Sequence, residues 1–63
     1  MMHSNIKLLM KNKGYTQKKL AQRSGCTEAS ISKYVSGERT PTLKVAKRLA
    51  KALSVTLDDL IKE

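Results

Sequence analysis

Basic side chains are the most numerous residues in this sequence that could do chemistry. The 63 residues include 13 Lys and Arg against five Asp and Glu, a net charge of +8. Residues 1–57 hold twelve of the basic residues and two acidic ones, which leaves that stretch at +10. Such a charge attracts polyanions, nucleic acid first and anionic membranes second.

Residue types that perform catalysis or bind metals are scarce. Cys26 is the single cysteine and His3 the single histidine, far apart in the chain. We therefore expect no enzyme activity, no metal, no cofactor and no small-molecule ligand. One thiol and no secretory signal favour the cytoplasm, near the nucleoid of a bacterial or phage-infected cell. Leu8-Leu9-Met10 is far too short an apolar run to span a membrane.

Apolar residues recur at helical spacing and predict an all-α fold with no strand. We expect one domain over residues 1–63, with helices at about 4–13, 17–24, 28–36, 43–53 and 57–62. Gly14, Gly25 and Gly37 are placed to end the first three helices. Four threonines are placed to cap the later ones: Thr16, Thr27, Thr42 and Thr56. His3 precedes the first helix, in a terminus that we expect to fray.

The second and third predicted helices are joined by a tight turn, Gly25-Cys26-Thr27, a pattern typical of a helix-turn-helix. With Ile31 inward, the outer face of the third helix carries Ala29, Ser32 and Lys33. Thr27, Glu28 and Ser30 lie at its tip. A major groove is wide enough to admit one such helix.

The fourth predicted helix has an apolar stripe on one face and basic residues on the other, namely Lys44, Lys47, Arg48 and Lys51. We expect Lys47 and Lys51 to be solvated, whereas Lys44, close to the loop that carries Arg39, is the best placed to contact a phosphate. Lys18, Lys19 and Arg23 are expected on the solvent face of the second helix. Tyr15 is expected to brace that helix, and Cys26 to be a small buried apolar residue.

Together these residues resemble the Cro and lambda-repressor-like helix-turn-helix family over nearly the whole chain. The matching stretches are Ile6 and Leu9, Lys13-Gly14-Tyr15-Thr16-Gln17, Leu20-Ala21, Gly25, Ile31-Ser32, Gly37, Arg39-Thr40-Pro41-Thr42-Leu43, Leu49-Ala50-Lys51-Ala52-Leu53 and Val55-Thr56-Leu57-Asp58-Asp59-Leu60. The resemblance implies a compact five-helix fold, double-stranded DNA as partner and a homodimer on a two-fold-symmetric operator.

The resemblance also implies roles for individual residues. Those placed on DNA are Gln17, Thr27, Glu28, Ala29, Ser30, Lys33, Arg39, Thr40 and Thr42. Ser32, on the outer face of the third helix, and Lys44, close to the loop, are added to them by position. Those placed at a dimer interface are Val55, Leu57 and Ile61. The chain departs from the pattern at Met10 and Val35, where relatives often have an Arg and a Glu. It also departs at Ser24 and Ser54, where Leu and Gly are common. We predict that Met10 packs near Val35, replacing an ion pair by apolar contact.

These features favour a sequence-specific transcriptional regulator, most simply a repressor. A second possibility is an antitoxin-like or other protein-interaction module, although the chain shows no additional segment after the fifth predicted helix. A basic amphipathic membrane binder is a third possibility, but it would leave the turn architecture unexplained.

Overall fold

The computed structural model describes residues 1–62, and it consists of five helices without strands in that part of the chain. They are α1 (Met2–Lys13), α2 (Gln17–Ser24), α3 (Glu28–Ser36), α4 (Leu43–Ala52) and α5 (Leu57–Ile61). The all-α fold with five helices is thus confirmed. The boundary at residue 63 lies outside the described residues.

The first helix begins earlier than the sequence indicated. It starts at Met2, so His3 belongs to its first turn and is half-buried. The His3 ring lies against Gly37, where an added Cβ would approach it to about 3.1 Å. The expectation of a frayed terminus was therefore wrong, because α1 has the end of α3 to pack against.

The core is a single apolar cluster to which all five helices contribute. Six side chains are completely enclosed: Ile6, Leu20, Ile31, Leu49, Leu53 and Leu60. Met10 lies in this cluster and Val35 packs against it, although their direct contact stays a prediction. Burial of apolar surface on this scale is the main force that holds such a small domain together.

The residues predicted to cap the helices are confirmed in that role. Gly14, Gly25 and Gly37 each adopt the left-handed conformation that closes a helix. Thr16, Thr27, Thr42 and Thr56 each accept a hydrogen bond from a backbone N–H in the first turn that follows. These caps satisfy backbone groups at the helix ends that cannot be paired within the helix itself. None of the described helices has the length and apolarity needed to cross a membrane.

Candidate nucleic-acid interface

The turn between α2 and α3 fixes where α3 begins. Gly25 has φ of 72°, and the N–H of Cys26 donates to the carbonyl of Ala21. Thr27 follows in an extended conformation and its Oγ1 accepts from the N–H of Ser30 at 3.1 Å. This short connection directs α3 across α2, with its first turn at the surface.

The third helix separates its inner and outer faces cleanly. Ile31 is fully buried and Tyr34 is only 6% exposed. The residues predicted to meet base edges are exposed on the other side: Glu28, Ala29, Ser32 and Lys33. Ser30 differs, because it is half-buried and its hydroxyl accepts a hydrogen bond from Thr27 Oγ1 at 3.0 Å. The Ser30 hydroxyl therefore takes part in the hydrogen bonding that caps α3.

The loop after α3 is held against the body of the domain. The N–H of Arg39 donates to the carbonyl of Lys33 at 3.2 Å, and Pro41 is buried. Arg39 and Thr40 are exposed on this loop, and the contacts on either side of them hold the loop in place. Lys44 is exposed in the first turn of α4.

Three helix starts present backbone N–H groups and positive dipole ends. Thr16, Thr27 and Thr42, the capping threonines of α2, α3 and α4, are all exposed. Neither α2 nor α4 has an acidic residue in its first turn, and Gln17 is exposed at the start of α2. Such helix starts favour bound anions such as phosphate.

Arg48 has a role that the sequence did not reveal. Its Nε donates to the carbonyl of Ser24 at 3.0 Å and its Nη2 to that of Gly25 at 2.9 Å. The basic face of α4 is thus not simply solvated, because Arg48 closes the C-terminal end of α2. Glycine is favoured at position 25 by its φ of 72°, and a Cβ there would also displace the Arg48 guanidinium from these two carbonyls.

Two other predictions about α2 also need adjustment. Tyr15 is half-buried beside α2 as expected, and its hydroxyl also donates to the carbonyl of Ala52 at 3.3 Å. Lys19 Nζ and Arg23 Cζ lie 4.9 and 5.7 Å from the centre of the Tyr15 ring. They are therefore exposed residues with cation–π contacts rather than simply solvated charges. Cys26 is half-buried, less enclosed than expected.

The departure at Ser24 is accommodated within the core. This residue is 4% exposed, and its hydroxyl donates to the carbonyl of Leu20 at 2.7 Å. A buried hydroxyl with a partner avoids the cost of an unpaired polar group. The local packing is thus preserved without the apolar residue that relatives often have.

The residues predicted for a dimer interface lie at the α4–α5 junction and along α5. Val55 and Leu57 are half-buried, and Val55 packs against the core of its own chain. Ile61 is 44% exposed and is the most accessible of the three. Within residues 1–62, no group of three or more His, Cys, Asp and Glu is arranged to hold a metal ion.

The fold and the exposed α3 define a helix-turn-helix protein, and comparisons with known proteins agree. The family model described as helix-turn-helix matches residues 6–60. A relative in Bacillus subtilis, the uncharacterised HTH-type transcriptional regulator YgzD, is 30% identical over 94% of this chain and 89% of its own length. The chain therefore belongs to the helix-turn-helix family of Cro/C1 type, a family of DNA-binding transcriptional regulators.

Two solved structures have the same fold. The restriction-modification controller protein C.AhdI from Aeromonas hydrophila superposes with a TM-score of 0.92 at 27% identity, covering 95% of this chain and 91% of that one. The P22 c2 repressor protein, solved in complex with synthetic operator 9T, gives a TM-score of 0.90 at 27% identity. That match covers 98% of this chain and 94% of the repressor chain.

Proposed function

We propose that this protein represses transcription by binding a two-fold-symmetric DNA operator as a homodimer, with α3 in the major groove. The observation that carries the proposal is the exposed outer face of α3, together with the exposed residues at the start of α2 and in the loop before α4. A groove-reading helix needs phosphate-binding groups beside it to fix its register on the duplex.

Base reading is assigned to the exposed face of α3. Lys33 can donate to guanine O6 or N7, Glu28 can accept from cytosine N4, and Ala29 can contact a thymine methyl. Thr27 and Ser32 have hydroxyls that can reach either kind of base. Glu28 repels phosphate, so its contribution is to specificity rather than to affinity.

Phosphate binding is assigned to the two flanks. Gln17 and the backbone amides at the start of α2 lie on one flank. The other flank holds Arg39, Thr40, Thr42 and Lys44, with Ser30 beside the turn. The anchored loop around Arg39 supports this assignment, because a fixed backbone loses little entropy when it meets a phosphate.

The size of the domain supports a dimer. Its longest dimension is 25 Å, shorter than the roughly 34 Å between successive major grooves on one side of DNA. One copy therefore reaches one half-site, and a second copy is needed for the next. We assign the contact between the two copies to Ile61 and Leu57, supported by the half-buried side chain of Val55.

Repression then requires binding alone, because an occupied operator excludes the transcription machinery. The proposal includes no catalytic step and no cofactor, and places the protein in the cytoplasm with the chromosomal DNA. Selection from random duplexes followed by sequencing of the bound pool tests it. We expect a symmetric site that binds at least about a thousandfold more tightly than random duplex.

The salt dependence of binding completes this test. Affinity should fall steeply with salt, because each neutralised phosphate releases counterions. Equal affinity for all duplexes at matched salt would contradict operator binding. Such a result would favour the antitoxin-like or protein-interaction alternative instead.

A further inference from the structure

A basic groove lies at the C-terminal ends of α2 and α4, whereas the proposed DNA interface uses the N-terminal ends of these two helices. It has a volume of about 560 Å³ and lies where the C-terminal ends of α2 and α4 meet. Its lining includes Arg23, Arg48 and Lys51, together with the polar side chains of Gln22 and Ser54. Among the described residues that line it there is no carboxylate.

The Arg48 guanidinium is fixed in this groove before any ligand arrives. Its two hydrogen bonds to the carbonyls of Ser24 and Gly25 define its position. They also neutralise the negative end of α2, which would otherwise repel an anion. The guanidinium has five N–H donors, so hydrogen-bonding capacity remains after those two bonds.

The Arg23 guanidinium is also partly positioned. It lies 5.7 Å from the centre of the Tyr15 ring, and the Tyr15 hydroxyl is bonded to the carbonyl of Ala52 in α4. Lys51 supplies a third, flexible cation one helical turn after Arg48. The fixed guanidinium of Arg48, the partly positioned one of Arg23 and the ammonium of Lys51 form a donor set suited to phosphate oxygens.

Ser54 contributes a separate observation. It is the one non-glycine residue with positive φ, 58°, among residues 1–62. A serine in this conformation is less stable than a glycine would be, because its Cβ crowds the backbone. The strained residue brings a hydroxyl to the groove that glycine would lack.

We infer that this groove binds a phosphate group, through Arg23, Arg48 and Lys51 with the hydroxyl of Ser54. The phosphate belongs either to a small phosphorylated ligand or to the backbone of a second DNA duplex. The site uses none of the residues assigned to the operator, so it stands independently of the proposed function.

Titration with inorganic pyrophosphate, followed by backbone amide NMR at low salt, tests the site. We expect saturable shifts centred on Gly25 and Ser54. The double variant R23Q/K51Q should weaken binding by about tenfold or more, because charge-assisted hydrogen bonds are lost. The matched control K7Q/K11Q removes the same charge from α1 and should change affinity by no more than about twofold. Thermal unfolding checks that both variants are folded.

The S54G variant tests the contribution of the Ser54 hydroxyl separately from that of the basic side chains. It should remain folded and bind pyrophosphate about tenfold more weakly, because one hydrogen bond from the hydroxyl to the anion is lost. Equal weakening in R23Q/K51Q and K7Q/K11Q would overturn the inference. So would shifts that do not saturate or do not centre on the groove.

A duplex-bridging assay then identifies the source of the phosphate. Protein bound to an immobilised duplex is offered a second, labelled duplex. Retention that is lost in R23Q/K51Q identifies the DNA backbone, whereas pyrophosphate binding without retention identifies a small phosphorylated ligand. K33A should still bind pyrophosphate, so failure of operator recognition and failure of this site remain distinguishable.

Discussion

Lys33 and Arg39 illustrate how side chains of similar charge can have different tasks. Lys33 projects from the outer face of α3, whereas Arg39 is on the anchored loop beside it. Replacing Lys33 by Ala should cost about 1–3 kcal/mol on the preferred operator and relax the choice of one base. Replacing Arg39 by Ala should weaken all duplexes alike and make the salt dependence shallower.

Competition binding against single-base operator variants distinguishes the two effects. Lys11→Ala, exposed on α1, serves as a charge-matched control. If Arg39→Ala changed the preferred base while Lys33→Ala did not, the assignment of reading and phosphate roles would be reversed.

Ser54 is a residue at which stability can be gained. Glycine has no Cβ to clash in the left-handed conformation, so Ser54→Gly should stabilise the fold by about 0.5–1 kcal/mol. For a domain of this size the melting temperature should rise by roughly 2–8 °C. Ser32→Gly, in the interior of α3, should instead destabilise by a similar amount. A lower melting temperature for Ser54→Gly would contradict the strain argument.

At the level of helices, side chains from one helix or its flanking turn close the C-terminal ends of others. Arg48 of α4 bonds the end of α2, and Tyr15, in the α1–α2 turn, bonds the end of α4. Asn5 of α1 donates to the carbonyls of Leu60 and Lys62 at 2.8 and 2.6 Å, closing α5. These contacts connect helices too short to be stable alone.

Arg48→Met tests one of these contacts. The variant keeps the aliphatic stem but leaves the carbonyls of Ser24 and Gly25 to water, so we expect a loss of about 1–2 kcal/mol in unfolding free energy. Lys47→Met, on the same helix, should change it by less than about 0.5 kcal/mol. Urea denaturation measures both, and equal stabilities would show that the cap contributes nothing.

The start of α5 makes stability depend on pH. The backbone N–H of Thr56 donates to Asp59, and with the Thr56 side chain it lowers the pKa of this carboxyl below its ordinary 3.8. A lowered folded-state pKa contributes stability above the unfolded value, and this is lost as the pH falls through the folded value.

Asp59→Asn should therefore reduce the loss of stability in acid, measured by urea denaturation at neutral pH and near pH 3. The variant should also be less stable at neutral pH, because the amide is a weaker cap. Asp58→Asn, next to the capping box, should retain the acid-dependent loss. An unchanged pH profile in Asp59→Asn would contradict the mechanism.

For the whole molecule, the proposed function depends on a second copy. Ile61→Lys places a charge on the exposed apolar surface of α5 and should weaken dimerisation by at least about tenfold. Operator affinity should fall with it, while the melting temperature stays similar. Asn12→Lys adds the same charge on α1. Sedimentation equilibrium measures the dimer dissociation constant. An unchanged constant in Ile61→Lys would show that the interface lies elsewhere.

The sequence by itself determined the number of helices, the capping residues and the helix-turn-helix. These depend on neighbours within a few residues, such as Thr27 before α3 or the spacing of Leu49 and Leu53 in α4. Local conformational preferences and the helical repeat can both be predicted from residues that lie this close in sequence. The residues proposed to read bases follow from their position on α3, whereas Gln17, Arg39, Thr40 and Thr42 were indicated by the family resemblance.

Only the tertiary structure decided how side chains from distant segments meet. Arg48 appears in the sequence as one of several basic residues on α4, yet it closes α2, 24 residues earlier. His3 and Asn5 gained their partners only because α1 packs against the ends of α3 and α5. Contacts of this kind depend on how helices cross, and that is set by the shape of the shared core rather than by any local pattern.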